Sequence, residues 1–166
     1  PCDTDALAAV ARRHELTLLY DAAHALACTH QGQYIGGFGD AEVFSFHATK
    51  FFNTFEGGAI VTNDADLARR ARSMRDFGFD APDTTDSVGT NGKMSEIHAA
   101  MGLTNLDAMT DVVAVNRRNH ARYQERLGDV GGLRFKRSDL DEMSNFQYVV
   151  IEVDESRFGL GRDRLL

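Results

Sequence analysis

The sequence has no tryptophan, only two prolines and two cysteines, and fewer basic than acidic residues. Cys2 and Cys28 are too few for a disulfide framework, so a reducing cytoplasm is the simplest compartment. The formal net charge of −7 argues against nucleic acid as the main partner. No apolar run is long enough to span a bilayer, and no signal segment opens the sequence. Because no tract has low complexity, disorder is not expected.

The remaining composition is that of a folded protein. Hydrophobic residues make up 43% of the 166 positions and charged residues 26%, which is enough for one core or for part of a larger one. The sequence enters a helix pattern without an initial methionine, and it stops where another helix pattern begins. We therefore expect an internal fragment of a longer protein.

Strand and helix patterns alternate along the first part of the chain. Asp3 or Asp5 is placed to cap a first helix, and residues 16–21, 41–47 and 57–63 predict strands. Asn63 or Asp64 then precedes a second helix pattern. This alternation predicts an α/β fold with a mainly parallel sheet flanked by helices.

The second part of the chain has a different pattern. Residues 77–92 are polar and rich in glycine, which predicts a long loop. Apolar periodicity then predicts one helix beginning near Met94, a second helix over about 112–127, and a strand over 146–153. The change of pattern predicts a partial large domain over residues 1–110. Residues 111–166 would then form a connecting helix and part of a smaller C-terminal domain.

Polar side chains occur where the predicted strands end. Asp21 ends one strand, Ser45 lies at the end of another, and Lys50 follows just past it. Ligands of open α/β sheets collect at the carboxyl ends of strands. A carboxylate, a hydroxyl and an amine on one rim suit pyridoxal phosphate, whose pyridine nitrogen, phosphate and aldehyde need these three groups. Apolar neighbours such as Phe51 and Phe52 would disfavour the charged form of the amine.

Each of these residues also has an ordinary interpretation. A lysine after a strand is usually a surface residue, Asp21 alone fits a cap or a loop, and Ser45 alone fits a serine bonded to the backbone. His24, Cys28 and His30 could be taken as metal ligands, but no second cluster accompanies them, so no metal site is expected.

Four sequence blocks, taken together, resemble a known family. They are "YDAAHA", "GDAEVFSFHATK", "EGGAIVTND" and "NGKMSEIHAAMG", and they span most of residues 16–127. Their order and spacing resemble the DegT/DnrJ/StrS family of nucleotide-sugar aminotransferases, which are pyridoxal-phosphate enzymes of fold type I. The resemblance implies part of the large domain of that fold, with the start of the small C-terminal domain. It also implies transfer of an amino group, with glutamate as the expected donor, to a keto-sugar carried on a nucleotide.

The resemblance implies roles for four residues near the cofactor. Lys50 matches the lysine that forms a Schiff base with the cofactor and moves the substrate proton. Asp21 matches the carboxylate paired with the pyridine nitrogen, and Ser45 matches the serine that binds the phosphate. His24 falls where the family has glutamine or histidine near the ring oxygen of the cofactor.

The resemblance also implies a shared active site. Asn91 matches an asparagine that reaches the cofactor phosphate of a partner subunit, which implies a homodimer. His47 lies in the same motif as Lys50 and is a candidate for lining the substrate pocket.

Two alternative functions stay open from the sequence. One is a pyridoxal-phosphate-dependent sugar dehydratase of the same fold, which Lys50 disfavours because such relatives carry histidine at that position. The other is a non-catalytic fragment that only dimerises through residues 94–127. Family members have further segments that contact the cofactor, so we expect the isolated 166 residues to hold it weakly or not at all.

Overall fold

Helices and strands alternate along the chain in the computed structural model, which describes residues 2–136 and 142–165. The helices are α1 (Thr4–Arg13), α2 (Ala65–Arg75), α3 (Glu96–Leu127), α4 (Glu155–Phe158) and α5 (Arg162–Leu165). The strands are β1 (Leu19–Asp21), β2 (Thr29–His30), β3 (Gln33–Tyr34), β4 (Ala41–Ser45), β5 (Gly58–Val61), β6 (Phe79–Ala81), β7 (Thr84–Thr85), β8 (Leu133–Phe135) and β9 (Ile151–Val153). None of the helices in these ranges combines the length and the apolar character that crossing a membrane requires.

Aspartate side chains begin the first two helices, as the sequence predicts. Asp3 caps α1 by accepting a hydrogen bond from the N–H of Ala6 at 2.9 Å. Asp64 caps α2 by accepting from the N–H groups of Asp66 and Leu67. Each cap satisfies backbone donors that have no partner inside the helix, so each fixes where its helix starts.

The main sheet has three strands in the order β1-β4-β5. β1 runs parallel to β4, with Asp21 opposite Val43, whereas β5 runs antiparallel to β4, with Gly58 opposite Ser45. The described sheet therefore holds one parallel and one antiparallel pairing. The connection between β4 and β5, residues 46–57, contains no helix, and the hydrogen bonds between Phe46 and Gly57 and between Thr54 and Phe46 turn the chain back beside β4.

The central strand β4 divides the sheet into a buried face and an exposed face. Glu42 and Phe44 point to the buried face, with 2% and 5% of their surface exposed. Val43 and its neighbours on the other face, Leu19 and Ile60, are exposed, whereas Ala41 at the start of that face is buried. The buried apolar side chains of the described residues are Ala11, Ala22, Ala41, Phe44 and Phe52.

The two helices predicted after Met94 are in fact one helix. α3 runs unbroken from Glu96 to Leu127, and Ser95 caps it. The prediction of a break is wrong because residues 103–127 contain neither glycine nor proline, so nothing ends the helix there. The predicted domain division at residue 110 falls inside α3 and stays a prediction.

Two further segments differ from the sequence prediction. Residues 77–92 are not a plain loop, because β6 and β7 pair there as a small antiparallel hairpin. Ser73 in α2 holds this hairpin by donating its hydroxyl to Asp86 at 2.7 Å, which lowers the pKa of the Asp86 carboxyl. The strand predicted over residues 146–153 begins only at Ile151, where β9 pairs with β8.

Gly58 lies where the backbones of β4 and β5 approach closely, and it gives the first prediction. A Cβ at this position would stand 2.6 Å from the carbonyl oxygen of Phe44. We expect Gly58→Ala to lower the free energy of unfolding by roughly 1–3 kcal/mol, because one strand must move. Denaturant unfolding measures this change.

Gly37 is the matched control for this substitution. A Cβ at Gly37 meets nothing within 4 Å. Gly37→Ala should therefore change the free energy of unfolding by less than about 0.5 kcal/mol. Equal losses in both variants would contradict the close approach at Gly58.

Candidate functional site

Two parallel strands bring a carboxylate and a hydroxyl to one edge of the sheet. Asp21 is the last residue of β1, and Ser45 is the last residue of the neighbouring β4. Because these strands run parallel, both carboxyl ends lie at the same edge. The Asp21 side chain is exposed and accepts a hydrogen bond from the N–H of Ala23 at 3.0 Å. Ser45 is half-buried, and its hydroxyl lies 3.4 Å from the N–H of His47.

Lys50 projects from a loop whose two ends are tied together. Its own N–H donates to the carbonyl of His47 at 2.9 Å, which forms a tight turn directly after β4. The N–H of Phe46 donates to Gly57 at 2.8 Å, and the N–H of Thr54 donates back to Phe46 at 2.9 Å. Thr54 is only 2% exposed. These bonds fix the base of the loop that carries the amine.

The amine of Lys50 lies against the imidazole of His24. The Nζ atom stands 3.4 Å from Nδ1 and 3.5 Å from Nε2 of that ring. His24 comes three residues after Asp21, in the turn that follows β1. The contact therefore joins the chain after β1 to the chain after β4. The structure thus brings Lys50, His24, Asp21 and Ser45 to one edge of the sheet.

Residues 142–148, here called the strap, cross this edge from a distant part of the sequence. Thr29 donates its hydroxyl to Glu142 at 2.5 Å and its N–H to the carbonyl of Met143 at 3.1 Å. The N–H of Met143 donates back to the Thr29 hydroxyl at 2.7 Å. The hydrogen bond from Thr29 is the main reason that the pKa of Glu142 lies below its ordinary value. One end of the strap is therefore held at β2.

Asn145 ties the middle of the strap to the turn that carries His24. Its side chain is 4% exposed, and its amide nitrogen donates to the carbonyls of His24 and Leu26, each at 2.9 Å. Asn116 of α3 donates in turn to the carbonyl of Asn145 at 3.2 Å. The backbone at His24 is thus held by a buried amide that α3 supports.

Gln147 and Tyr148 complete the surroundings of the histidine. The oxygen of the Gln147 amide accepts from the N–H of Phe51 at 3.1 Å, and its nitrogen lies 3.4 Å from Nδ1 of His24. The ring of Tyr148 meets the His24 ring edge to face, with centroids 5.1 Å apart. Sequence reasoning missed these residues by assigning them to a strand. The available signal was two amides alternating with aromatic residues just before the apolar run.

Helix α3 supports the site through hydrogen bonds at two positions. Asn105 donates its amide to the carbonyl of Asn53, in the Lys50 loop, at 2.7 Å. Asn116 supports the strap by donating its amide to the carbonyl of Asn145. The helix approaches the loop closely, because a Cβ on Gly102 would stand 2.9 Å from a methyl carbon of Thr54.

The side chains of the other two predicted site residues lie outside the Lys50 cluster, which consists of Lys50, His24, Asp21 and Ser45. The backbone of His47 is nevertheless part of the turn at Lys50. Asn91 pairs with Asp76 in an isolated bridge near the end of α2, and no hydrogen bond within residues 2–136 and 142–165 joins it to Lys50 or His24. His47 is exposed, and its Nε2 lies 3.6 Å from a carboxylate oxygen of Glu56.

The histidines and cysteine near the strap do not assemble as metal ligands. Within the described ranges, no three His, Cys, Asp or Glu side chains are grouped so that they could hold a metal ion. Burial also raises the pKa of the Cys28 thiol, which disfavours the thiolate that a metal would need.

Comparison with known proteins connects this arrangement to one family. The model of the DegT/DnrJ/EryC1/StrS aminotransferase family matches residues 1–166. The chain is 39% identical over 165 residues to a dTDP-4-amino-4,6-dideoxy-D-glucose transaminase of Shigella dysenteriae, covering 99% of the chain and 45% of that protein. It is 40% identical over 133 residues to a GDP-perosamine synthase of Caulobacter vibrioides, covering 78% of the chain and 36% of that protein.

Solved structures show the same fold. DesI, crystallised in the presence of its TDP-sugar product, superposes with a TM-score of 0.92 at 54% identity, covering 99% of this chain and 42% of DesI. PseC of Helicobacter pylori superposes with a TM-score of 0.87 at 29% identity, covering 94% of this chain and 43% of PseC. The chain spans less than half the length of these relatives. The predicted partial fold of type I aminotransferases is confirmed.

The carboxylate of Glu142 gives a prediction about how the stability of the folded chain changes at acid pH. Its pKa is lower in the folded chain than in the unfolded chain, so it adds stability above the ordinary glutamate pKa of about 4.3. That stability is lost as the pH falls through the lower folded-state pKa. We expect Glu142→Gln to unfold more easily near neutral pH, and the difference from the parent protein to shrink below about pH 4.

Urea unfolding at a series of pH values measures this difference. Glu125→Gln on the exposed side of α3 removes the same charge and should leave the acid dependence of the parent protein in place. A gap between parent and Glu142→Gln that stays constant from neutral pH to acid would contradict the assigned hydrogen bond.

Proposed function

The chain belongs to the DegT/DnrJ/EryC1/StrS aminotransferase family, and on that basis we propose that it carries the reactive lysine of a pyridoxal-phosphate-dependent aminotransferase. The proposed substrates are a nucleotide-linked keto-sugar and glutamate as the amino donor. One observation carries the proposal: the Lys50 amine lies against His24, at the edge where Asp21 and Ser45 end neighbouring parallel strands.

The residues at this edge fit the cofactor by their chemistry. Lys50 supplies an amine for its aldehyde, Asp21 a carboxylate for its pyridine nitrogen, and Ser45 a hydroxyl for its phosphate. Asp21 uses one oxygen on the N–H of Ala23, and its other oxygen accepts no hydrogen bond within the described ranges. When bound, pyridoxal phosphate supplies an aldehyde that exchanges amines and a ring that accepts electrons.

Amine transfer needs a base that moves one proton between two carbon positions. We assign that task to the Nζ atom of Lys50, because the tied loop holds its backbone while its side chain reaches across to His24. His24 would orient the amine from one side. Gln147 and Tyr148 of the strap contact His24 from another side.

The remaining predictions concern the partner subunit, the substrate, the domains and the compartment. Asn91 lies apart from the Lys50 cluster, which supports its assignment to the cofactor phosphate of a second copy in a homodimer. His47, exposed beside Glu56, is proposed to face the substrate. Residues 1–110 would belong to the cofactor-binding large domain and residues 111–166 to the connection and the small domain. The proposed compartment is the cytoplasm.

Covalent attachment of the cofactor tests the lysine directly. The sequence holds three lysines, Lys50, Lys93 and Lys136. The parent protein for this test has the full length of the relatives and contains these residues, because the 166 residues alone are expected to hold the cofactor weakly. After incubation with pyridoxal phosphate and reduction with borohydride, peptide mapping should find the adduct on Lys50. Lys50→Arg should lose the adduct and lower amine transfer by roughly 10²–10⁴-fold, because the proton carrier is removed.

Lys93→Arg and Lys136→Arg are the matched controls and should keep the adduct. An adduct spread over all three lysines would overturn the assignment. No adduct in the parent protein would favour a non-catalytic role in association.

Substitution of Asp21 is predicted to affect the rate of amine transfer without affecting the attachment of the cofactor to Lys50. Asp21→Asn keeps the shape of the side chain and removes its charge, so the adduct on Lys50 should still form. Amine transfer should fall by roughly 10²-fold, because the ring nitrogen loses its charged partner. Steady-state rates measure the loss. Asp83→Asn, in the exposed hairpin turn, should keep the full rate, and an equal fall in both variants would argue against the role of Asp21.

A further inference from the structure

The side-chain amide of Gln147 bridges the backbone beside Lys50 and the ring of His24. Its oxygen lies 3.1 Å from the N–H of Phe51, and its nitrogen lies 3.4 Å from Nδ1 of His24. A backbone N–H can only donate, so the amide must turn its oxygen toward Phe51. The NH₂ group therefore faces His24, and the orientation of the amide is set by a main-chain group.

This orientation decides which nitrogen of His24 carries the proton. An amide NH₂ can only donate, so Nδ1 of His24 must accept, and the neutral ring must carry its proton on Nε2. The Nε2 atom lies 3.5 Å from Nζ of Lys50. Nδ1 lies equally close to Nζ, at 3.4 Å, so the amine faces both ring nitrogens, and Gln147 occupies the lone pair of Nδ1.

We propose that Gln147 is a positioning residue of the Lys50 site, which holds His24 in the tautomer protonated at Nε2. It acts through His24, and within the described ranges no hydrogen bond joins its side chain to the Lys50 amine. The benefit for amine transfer rests on the proposed function, whereas the tautomer is a property of this chain by itself.

Packing of the strap is carried by a different residue. Asn145 is 4% exposed and holds the carbonyls of His24 and Leu26. Gln147 is only half-buried, and its two contacts are both hydrogen bonds through one amide. A substitution that keeps the shape of Gln147 therefore separates the choice of tautomer from the packing of the strap.

Gln147→Glu is that substitution. One carboxylate oxygen still accepts from the N–H of Phe51, but the other oxygen can only accept, so it requires a proton on Nδ1 of His24. Ring nitrogen-15 chemical shifts of labelled histidine, recorded without cofactor at about pH 8.5, report the tautomer above the ordinary histidine range. We expect Nε2–H in the parent protein and Nδ1–H in Gln147→Glu.

Three further variants complete the test. His24→Gln assigns the signal among the six histidines. Gln124→Glu adds the same charge on α3 and should leave the His24 tautomer unchanged. Gln147→Met removes both hydrogen bonds and should give a mixture of tautomers, which covers the case in which the glutamate variant does not fold. Nδ1–H in the parent protein, or a ratio of the two tautomers in Gln147→Glu or in Gln147→Met that equals the ratio in the parent protein, overturns the proposal.

A second measurement keeps this proposal distinct from the proposed function. In protein loaded with pyridoxal phosphate, Gln147→Glu should keep the borohydride-fixed adduct on Lys50. Its amine transfer should be slower by roughly 10–100-fold, the range known for groups that orient a metal-binding histidine. An unchanged rate would overturn the positioning role. A parent protein without an adduct would defeat the proposed function and leave the tautomer result standing.

Discussion

The parallel pairing of β1 with β4 is the constraint on which the candidate site depends. Because these two strands run in the same direction and in this register, Asp21 and Ser45 end at one edge of the sheet. The turns that leave this edge then carry His24 from one strand and Lys50 from the other, so the imidazole and the amine meet. An antiparallel pairing of β1 with β4 would send Asp21 and Ser45 to opposite ends of the sheet. The chemistry of the edge is therefore a consequence of strand direction.

The strap holds in place the polar turns that follow β1 and β4 at the edge of the sheet. The contacts between Thr29 and Glu142 join residues 113 positions apart in the sequence. Along the strap, the amides of Asn145 and Gln147 bond to main-chain groups that the sheet does not use. Among the described residues, every buried side-chain nitrogen or oxygen has a hydrogen-bond partner. Unpaired buried polar groups cost stability, so these long-range bonds make the arrangement of the edge specific.

Features set by neighbouring residues could be predicted from the sequence, and features set by distant residues could not. The caps at Asp3 and Asp64 and the strands that end at Asp21 and Ser45 follow local patterns, and each is present. The contact between Lys50 and His24 was not predicted, because the family resemblance implied only that each residue lies near the cofactor. Gln147 was missed, because its partners lie some hundred residues away and its own segment resembles the start of a strand. The continuous α3 was missed for a different reason, since a change in apolar periodicity was given more weight than the absence of helix-breaking residues.

Helix α3 contacts the site through two asparagines whose spacing has a consequence for the length of the helix. Asn105 and Asn116 are eleven positions apart, which is close to three turns and about 16 Å along the axis, so both amides leave the same side of the helix. One inserted or deleted residue between them would rotate Asn116 by about 100° and carry its amide away from the strap. Chain length is therefore fixed in this stretch even where the identities of the intervening side chains are not. Related sequences should vary there by substitution and keep the count of residues constant.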